Sequence, residues 1–190
     1  AAVASAFALC VVEPNATGLG GEGMMVVYLA GKDVTVAIDY RSTAPLADMS
    51  KVKFGNEGHV AVAVPGTVAG LCLALQKYGT MSLPQVMAPA IRYARNGFIV
   101  SETLAETIAA RFDPISKNDA LLAIVAPDGL PLQAGQLFKN PDLAVTLEKI
   151  AAGGPDVFYK GEIADAIAAD MAKNGGYITK ADLAAYRAIE

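Results

Sequence analysis

The residues whose types and spacing could do chemistry lie together at 13–45, which read EPNATGLGGEG, then an apolar hairpin, then DYRSTAP. A loop built on Gly18, Gly20, Gly21 and Gly23 can turn through positive φ, and it lets another segment or a ligand approach, because no Cβ stands in the way. Arg41 follows the run Val34-Thr35-Val36-Ala37-Ile38-Asp39-Tyr40, so its guanidinium is expected to emerge at a strand's end, before the turn at 42–45. That is a suitable place to hold a carboxylate, since the fork of guanidinium donors matches two oxygens and a lysine would lose the fork. The other use of Arg41 is a structural salt bridge to Asp39 or another acid.

Elsewhere such residues are sparse. His59, the single histidine, sits in the turn-like Gly55-Asn56-Glu57-Gly58-His59, where an exposed or structural role is expected, and it cannot anchor a triad by itself. Cys10 and Cys72 fall inside apolar helical patterns without Cys-x-x-Cys or Cys/His spacing, so buried free thiols are expected and no metal site. Gly66-Thr67 after Pro65 resembles a strand-to-helix turn but lacks the second glycine of a Gly-x-Ser-x-Gly elbow. The Gly-rich loop has no Gly-Lys-Ser/Thr and is read as backbone packing close to a substrate cleft, not as a dinucleotide or phosphate loop. No cofactor is expected.

The elements that must position these residues follow from pattern. Residues 1–12 are apolar all round, predicting a buried helix that Pro14 ends. Residues 24–29 and 34–40 read as strands joined through Ala30-Gly31-Lys32-Asp33. Residues 48–58 read as a surface loop and 60–64 as a short strand ended by Pro65-Gly66. Helices are expected at 68–78, 83–96, 102–112 capped by Ser101, 140–151, 161–173 and 181–186, the last capped by Thr179 with Asp182 three residues on. Residues 114–133 read as irregular, with a turn at Pro127-Asp128-Gly129. The fold class is α/β with a helical second half.

A chain of 190 residues is one domain, or one large piece of a bigger one. With 54% hydrophobic and 18% charged residues it is more apolar than most soluble domains, which fits either surface buried against a partner or a well-packed, Ala-rich core. Fifteen Lys plus Arg against 19 Asp plus Glu give a net charge of −4 with no basic run, so nucleic acid is not an expected partner. The apolar runs at 1–12 and 60–75 fall short of the roughly 18–20 continuous residues of a spanning helix, and no membrane span is expected. Ala1 has no basic region before it and no initiator Met, so the chain is expected to be cut or processed rather than to start with a signal peptide.

The Glu13-Pro14 start, the Gly-rich loop and Asp39-Tyr40-Arg41 with Ala44-Pro45 resemble the gamma-glutamyltransferase (gamma-glutamyltranspeptidase) family. Val64-Pro65-Gly66-Thr67-Val68-Ala69-Gly70, Ala88-Pro89-Ala90, Gly97-Phe98, Gly135-Gln136, Gly153-Gly154-Pro155, Phe158-Tyr159-Lys160-Gly161 and Asp182-Leu183-Ala184-Ala185-Tyr186 continue it in order, over essentially the whole chain. The resemblance implies an N-terminal-nucleophile hydrolase with an αββα sandwich, in which a precursor cuts itself and a threonine becomes the first residue of the small subunit. That threonine attacks the γ-glutamyl amide of glutathione or a related amide, and the acyl group passes to water or an amine.

On that basis this chain is a single-domain fragment of the large subunit, lacking its first helix and its last segment before the cleavage point. No family-like Thr-Thr-His segment occurs in it, so no catalytic residue is assigned here and the nucleophile belongs to the small subunit, the expected partner. Arg41 matches the family residue that holds the substrate α-carboxylate. The family is often periplasmic or secreted. It commonly has Glu where Ser42 stands, His-Ser-Ser or a close variant where Asn15-Ala16-Thr17 stands, and glycine where Glu22 stands. These changes at the binding wall leave open an acylase or amidohydrolase with a different acyl group, and a relative without its nucleophile leaves open a non-catalytic binding or assembly protein.

Overall fold

The computed structural model describes all residues except Met49 and Phe54, which fall inside the expected surface loop at 48–58 and lie outside the described residues. In chain order the elements are α1 (Ala2–Val12), β1 (Met24–Leu29), β2 (Val34–Asp39), α2 (Thr67–Tyr78), α3 (Leu83–Asn96), β3 (Phe98–Ile99), α4 (Glu102–Ala110), α5 (Phe112–Ser116), α6 (Asp119–Val125), β4 (Leu137–Phe138), α7 (Pro141–Gly153), α8 (Pro155–Tyr159), α9 (Glu162–Lys173) and α10 (Lys180–Ala185). The mixed helix-and-sheet class agrees with the expectation. Among the described residues the named strands form two antiparallel pairs, β1 with β2 and β3 with β4.

The chain divides into two compact units. One comprises residues 1–16 and 86–148. Its α1 buries Phe7, Cys10 and Val11. A core of Val100, Leu104, Ile108, Val125, Leu132 and Phe138 gathers α4, α6 and β4, and the rings of Phe98 and Phe138, paired across β3 and β4, stack at 5.0 Å. Ser101 caps α4 by accepting from the Leu104 N–H at 3.2 Å. The helix expected at 102–112 stops at Ala110 because Pro114 has no N–H for the Ala110 carbonyl, and its ring would meet that carbonyl in a continuing helix. The stretch expected to be irregular carries α5 and α6 instead. Asn118 opens α6, its side chain accepting from the Leu121 N–H at 3.0 Å. The turn expected at 127–129 is present, with the Gly129 N–H bonded to the Ala126 carbonyl.

The other unit, residues 17–85 and 149–190, holds the Gly-rich loop and Arg41. β1 and β2 pair from Met24↔Asp39 to Leu29↔Val34, and the ladder gains one more step through Gly23 and Tyr40. Alternation puts Ile38 at 0% exposure while Met24, Val26 and Tyr28 stay open at 68%, 73% and 61%. The strand expected at 60–64 is a correction: residues His59–Ala61 form a 3-10 turn, and only Val64 pairs, with Thr43. The turn closes through the Ala61 N–H on the Gly58 carbonyl at 3.1 Å. α10 carries the expected capping box, Asp182 accepting from the Thr179 N–H at 2.6 Å while Thr179 accepts from the Asp182 N–H at 3.3 Å. The same buried carboxylate takes the Leu46 N–H at 2.5 Å. Burial alone would raise the Asp182 carboxyl, but the Leu46 and Thr179 donors hold it below its ordinary value.

Candidate functional site

Arg41 stands one residue past Tyr40, at the exit of β2, because Tyr40 is pinned beneath it. α2 begins at Thr67 with the Gly66 and Thr67 N–H groups both donating to the Gly21 carbonyl, at 2.9 and 3.1 Å. Gly66 and Gly70, one helical turn apart, give Tyr40 its seat. A Cβ on Gly66 would lie 1.9 Å from the Tyr40 carbonyl oxygen, and one on Gly70 would lie 2.1 Å from the Tyr40 ring. No side chain fits at either position. Thr67 Oγ1, just above Gly21, is a buried hydroxyl oxygen without a hydrogen-bond partner among the described residues.

The Gly-rich loop behaves differently from the expectation. Gly18, Gly20, Gly21 and Gly23 have no positive φ, and among them a Cβ would be driven into a side chain only at Gly23, 2.7 Å from the Tyr40 ring. The letters of residues 18–23 spell Gly-x-Gly-x-x-Gly, yet this loop runs from α1 into β1. A dinucleotide loop runs from strand to helix and offers the helix N-terminus to a phosphate, so the order here is the wrong one.

The polar groups around Arg41 form one connected set. Asp39 receives the Arg41 side chain through Nε at 3.2 and 3.3 Å and through Nη2 at 2.9 Å, and it accepts the Arg41 backbone N–H at 3.0 Å. The structural ion pair is therefore present. It occupies the side edge of the guanidinium, whereas Nη1 has no hydrogen-bond partner among the described residues and the Arg41 side chain is 62% exposed. The end edge, Nη1 with the outer hydrogen of Nη2, is open to a second carboxylate. Asp39 orients the fork without using it up. Its hydrogen bonds with Arg41 hold the Asp39 carboxyl below its ordinary value and raise the Arg41 guanidinium.

Glu22, noted in the sequence only as an interruption of the glycines, closes the other side. Its Oε2 accepts the Ser42 N–H and the Ser42 hydroxyl, each at 2.6 Å, and these bonds lower its carboxyl. Tyr186 Oη donates to the Arg41 carbonyl at 2.8 Å. Burial, then the nearby Asp39 and Glu22 charges, push the Tyr186 phenol up to about 12, so it stays a donor at neutral pH.

The remaining candidates are a paired histidine and two buried thiols. His59 Nε2 meets Asp170 Oδ2 at 2.7 Å. Cys10 and Cys72 are buried and outside any disulfide, and burial raises the Cys72 thiol to about 12, which leaves it unreactive. Among the described residues no group of three or more His, Cys, Asp or Glu could hold a metal ion, and no helix is long and apolar enough to cross a membrane.

Known proteins resemble this chain in sequence and in backbone course. The family profile described as Gamma-glutamyltranspeptidase matches residues 1–190. A glutathione hydrolase proenzyme of Escherichia coli is 44% identical, the match covering 100% of this chain and 34% of that protein. An acylase, the ACY 1 proenzyme of Pseudomonas sp. strain SE83, is 41% identical over 98% of this chain and 36% of its own length. The crystal structure of Helicobacter pylori gamma-glutamyltranspeptidase superposes with a TM-score of 0.94 at 42% identity, covering 99% of this chain and 57% of that one. The chain thus spans about a third of the length of the curated relatives it matches. With the profile matched from the first residue to the last, and a relative 44% identical over the whole of it, this chain belongs to the gamma-glutamyltranspeptidase family.

Proposed function

We propose that this chain is a fragment of the large subunit of an N-terminal-nucleophile hydrolase, acting as one domain in an αββα sandwich. Its partner is a small subunit whose first residue is a nucleophilic threonine. The assembled enzyme cleaves or transfers the γ-glutamyl group of glutathione and γ-glutamyl amides, and Arg41 holds the α-carboxylate of the substrate.

The observation that carries this reading is the open end edge of a guanidinium oriented by Asp39, on a chain that belongs to this family along its whole length. Second-subunit assembly is supported by the hairpin face of Met24, Val26 and Tyr28, an exposed apolar surface of the kind that a partner's sheet covers. The test compares a γ-glutamyl anilide with 4-aminobutanoyl anilide, which lacks only the α-carboxylate. In the assembled enzyme Arg41→Lys raises KM for the first by about tenfold or more, with little change in folding or in turnover of the second. An unchanged KM for the first substrate removes the assignment.

A second reading, an acylase of the same family with another acyl group, is favoured by one observation. Glu22 and Ser42 replace a glycine and a glutamate at the binding wall and bond to each other. Faster turnover of a simple acyl amide than of any γ-glutamyl amide selects it.

A further inference from the structure

Arg41 is flanked by two planar peptide units, and all four of their polar groups are engaged. The Tyr40 carbonyl takes the Gly23 N–H at 3.4 Å, and the Arg41 N–H goes to Asp39 Oδ1 at 3.0 Å. The Ser42 N–H goes to Glu22 at 2.6 Å, and the Arg41 carbonyl accepts from Tyr186 Oη at 2.8 Å. Three of these partners come from the Gly-rich loop or from β2 itself. The fourth comes from the far end of the chain, 145 residues away.

Tyr186 is itself held. It follows α10 and is buried, and its ring stacks on Tyr159 with centroids 5.5 Å apart and planes 11° from parallel. Tyr159 Oη in turn donates to the Pro65 carbonyl at 2.8 Å and accepts the Ala69 N–H at 3.2 Å, which fixes the entry to α2. Three residues beyond Tyr186, Ile189 exchanges backbone hydrogen bonds with Asp39 at 2.7 and 2.8 Å, and Glu190 pairs with Lys77 at 2.8 Å. Residues 186–189 therefore lie along the end of β2 and grip the chain at both Asp39 and Arg41.

We infer that Tyr186 is a positioning residue for carboxylate recognition: its hydroxyl, together with the Ile189 backbone, sets the peptide plane from which the Arg41 side chain departs. The inference rests on the reading of Arg41 as the carboxylate holder. It assigns a role in substrate affinity to a segment with no direct part in the chemistry. Tyr159, one ring behind, supports the fold without touching Arg41.

The experiment uses the assembled two-chain enzyme and four variants, Arg41→Lys, Tyr186→Phe, Ile189→Pro and Tyr159→Phe, each assayed with γ-glutamyl anilide and with 4-aminobutanoyl anilide. Tyr186→Phe removes one hydrogen bond, so KM for the γ-glutamyl anilide rises about fivefold, with kcat within about twofold and no change for the substrate without the carboxylate. Ile189→Pro removes the N–H given to Asp39 and moves KM the same way. Tyr159→Phe lowers thermal stability and leaves both KM values in place. If Arg41→Lys raises KM while Tyr186→Phe does not, or if Tyr186→Phe affects both substrates alike, the positioning role is overturned and the carboxylate reading stands. If Arg41→Lys itself leaves KM unchanged, the carboxylate reading fails and this role falls with it.

Discussion

At the scale of single residues, Arg41 need not choose between a structural and a binding use, because the two uses occupy different edges of one guanidinium. Under the proposed carboxylate role of Arg41, Asp39 becomes part of the affinity for substrate. Asp39→Asn keeps one acceptor and loses the charge, so KM for γ-glutamyl substrates rises about threefold to tenfold with kcat unchanged, as steady-state kinetics would show. The pH dependence has a definite sign. Asp39 and Glu22 are both lowered in the folded chain by their hydrogen bonds with Arg41 and Ser42. Their pairings are complete above the ordinary carboxylate range and are lost only as the pH falls through the lowered folded values. Affinity that depends on them stays flat from neutral pH into mild acid, and a KM already rising near neutral pH would contradict the arrangement. Arg41 was legible in the sequence because a strand pattern delivers it. The Glu22–Ser42 and Tyr186–Arg41 bonds were not, since they join residues 20 and 145 positions apart and no local periodicity signals them.

At the scale of elements, two contacts brace the unit that carries Arg41. Tyr40 lies on the glycine face of α2, so Gly70→Ala puts a methyl group into its ring and costs about 1–3 kcal/mol, measured as a lowered denaturation midpoint. Asp182 serves both the α10 cap and the Leu46 N–H, so Asp182→Ala removes the acceptor of two part-buried bonds and costs about 1–2 kcal/mol. Because the Asp182 carboxyl is lowered, its contribution is present above the ordinary carboxylate value and is lost as pH falls through the folded one. Urea midpoints of the native protein and of Asp182→Ala, compared across acid pH, converge at the low end. The hairpin, α3 and the α10 capping box could be read from alternation, flanking glycine and the Thr-x-x-Asp spacing. The misreadings have local causes. Residues 114–133 read as irregular although Asn118-Asp119 opens α6, whose cap and apolar Leu121, Leu122 and Val125 are present in the sequence. The alternation at 60–64 looked like a strand, although a 3-10 turn consumes its first half.

At the scale of the whole molecule, the sequence's high apolar content has a visible counterpart in the open hairpin face. Its family was legible because the matching segments recur in order along the full chain, and the solved Helicobacter pylori relative carries the same backbone course at a TM-score of 0.94. Sheet order was not legible in the sequence, because it depends on strands that pair across long separations. The proposed function makes this chain part of a self-processed, two-chain hydrolase. The measurement that reaches it most directly is mass spectrometry with N-terminal sequencing of everything that copurifies with this chain from its native source. The expected result is a second polypeptide beginning with threonine. A single uncut polypeptide, with no threonine-initiated partner, would contradict it and leave a binding or assembly protein in its place.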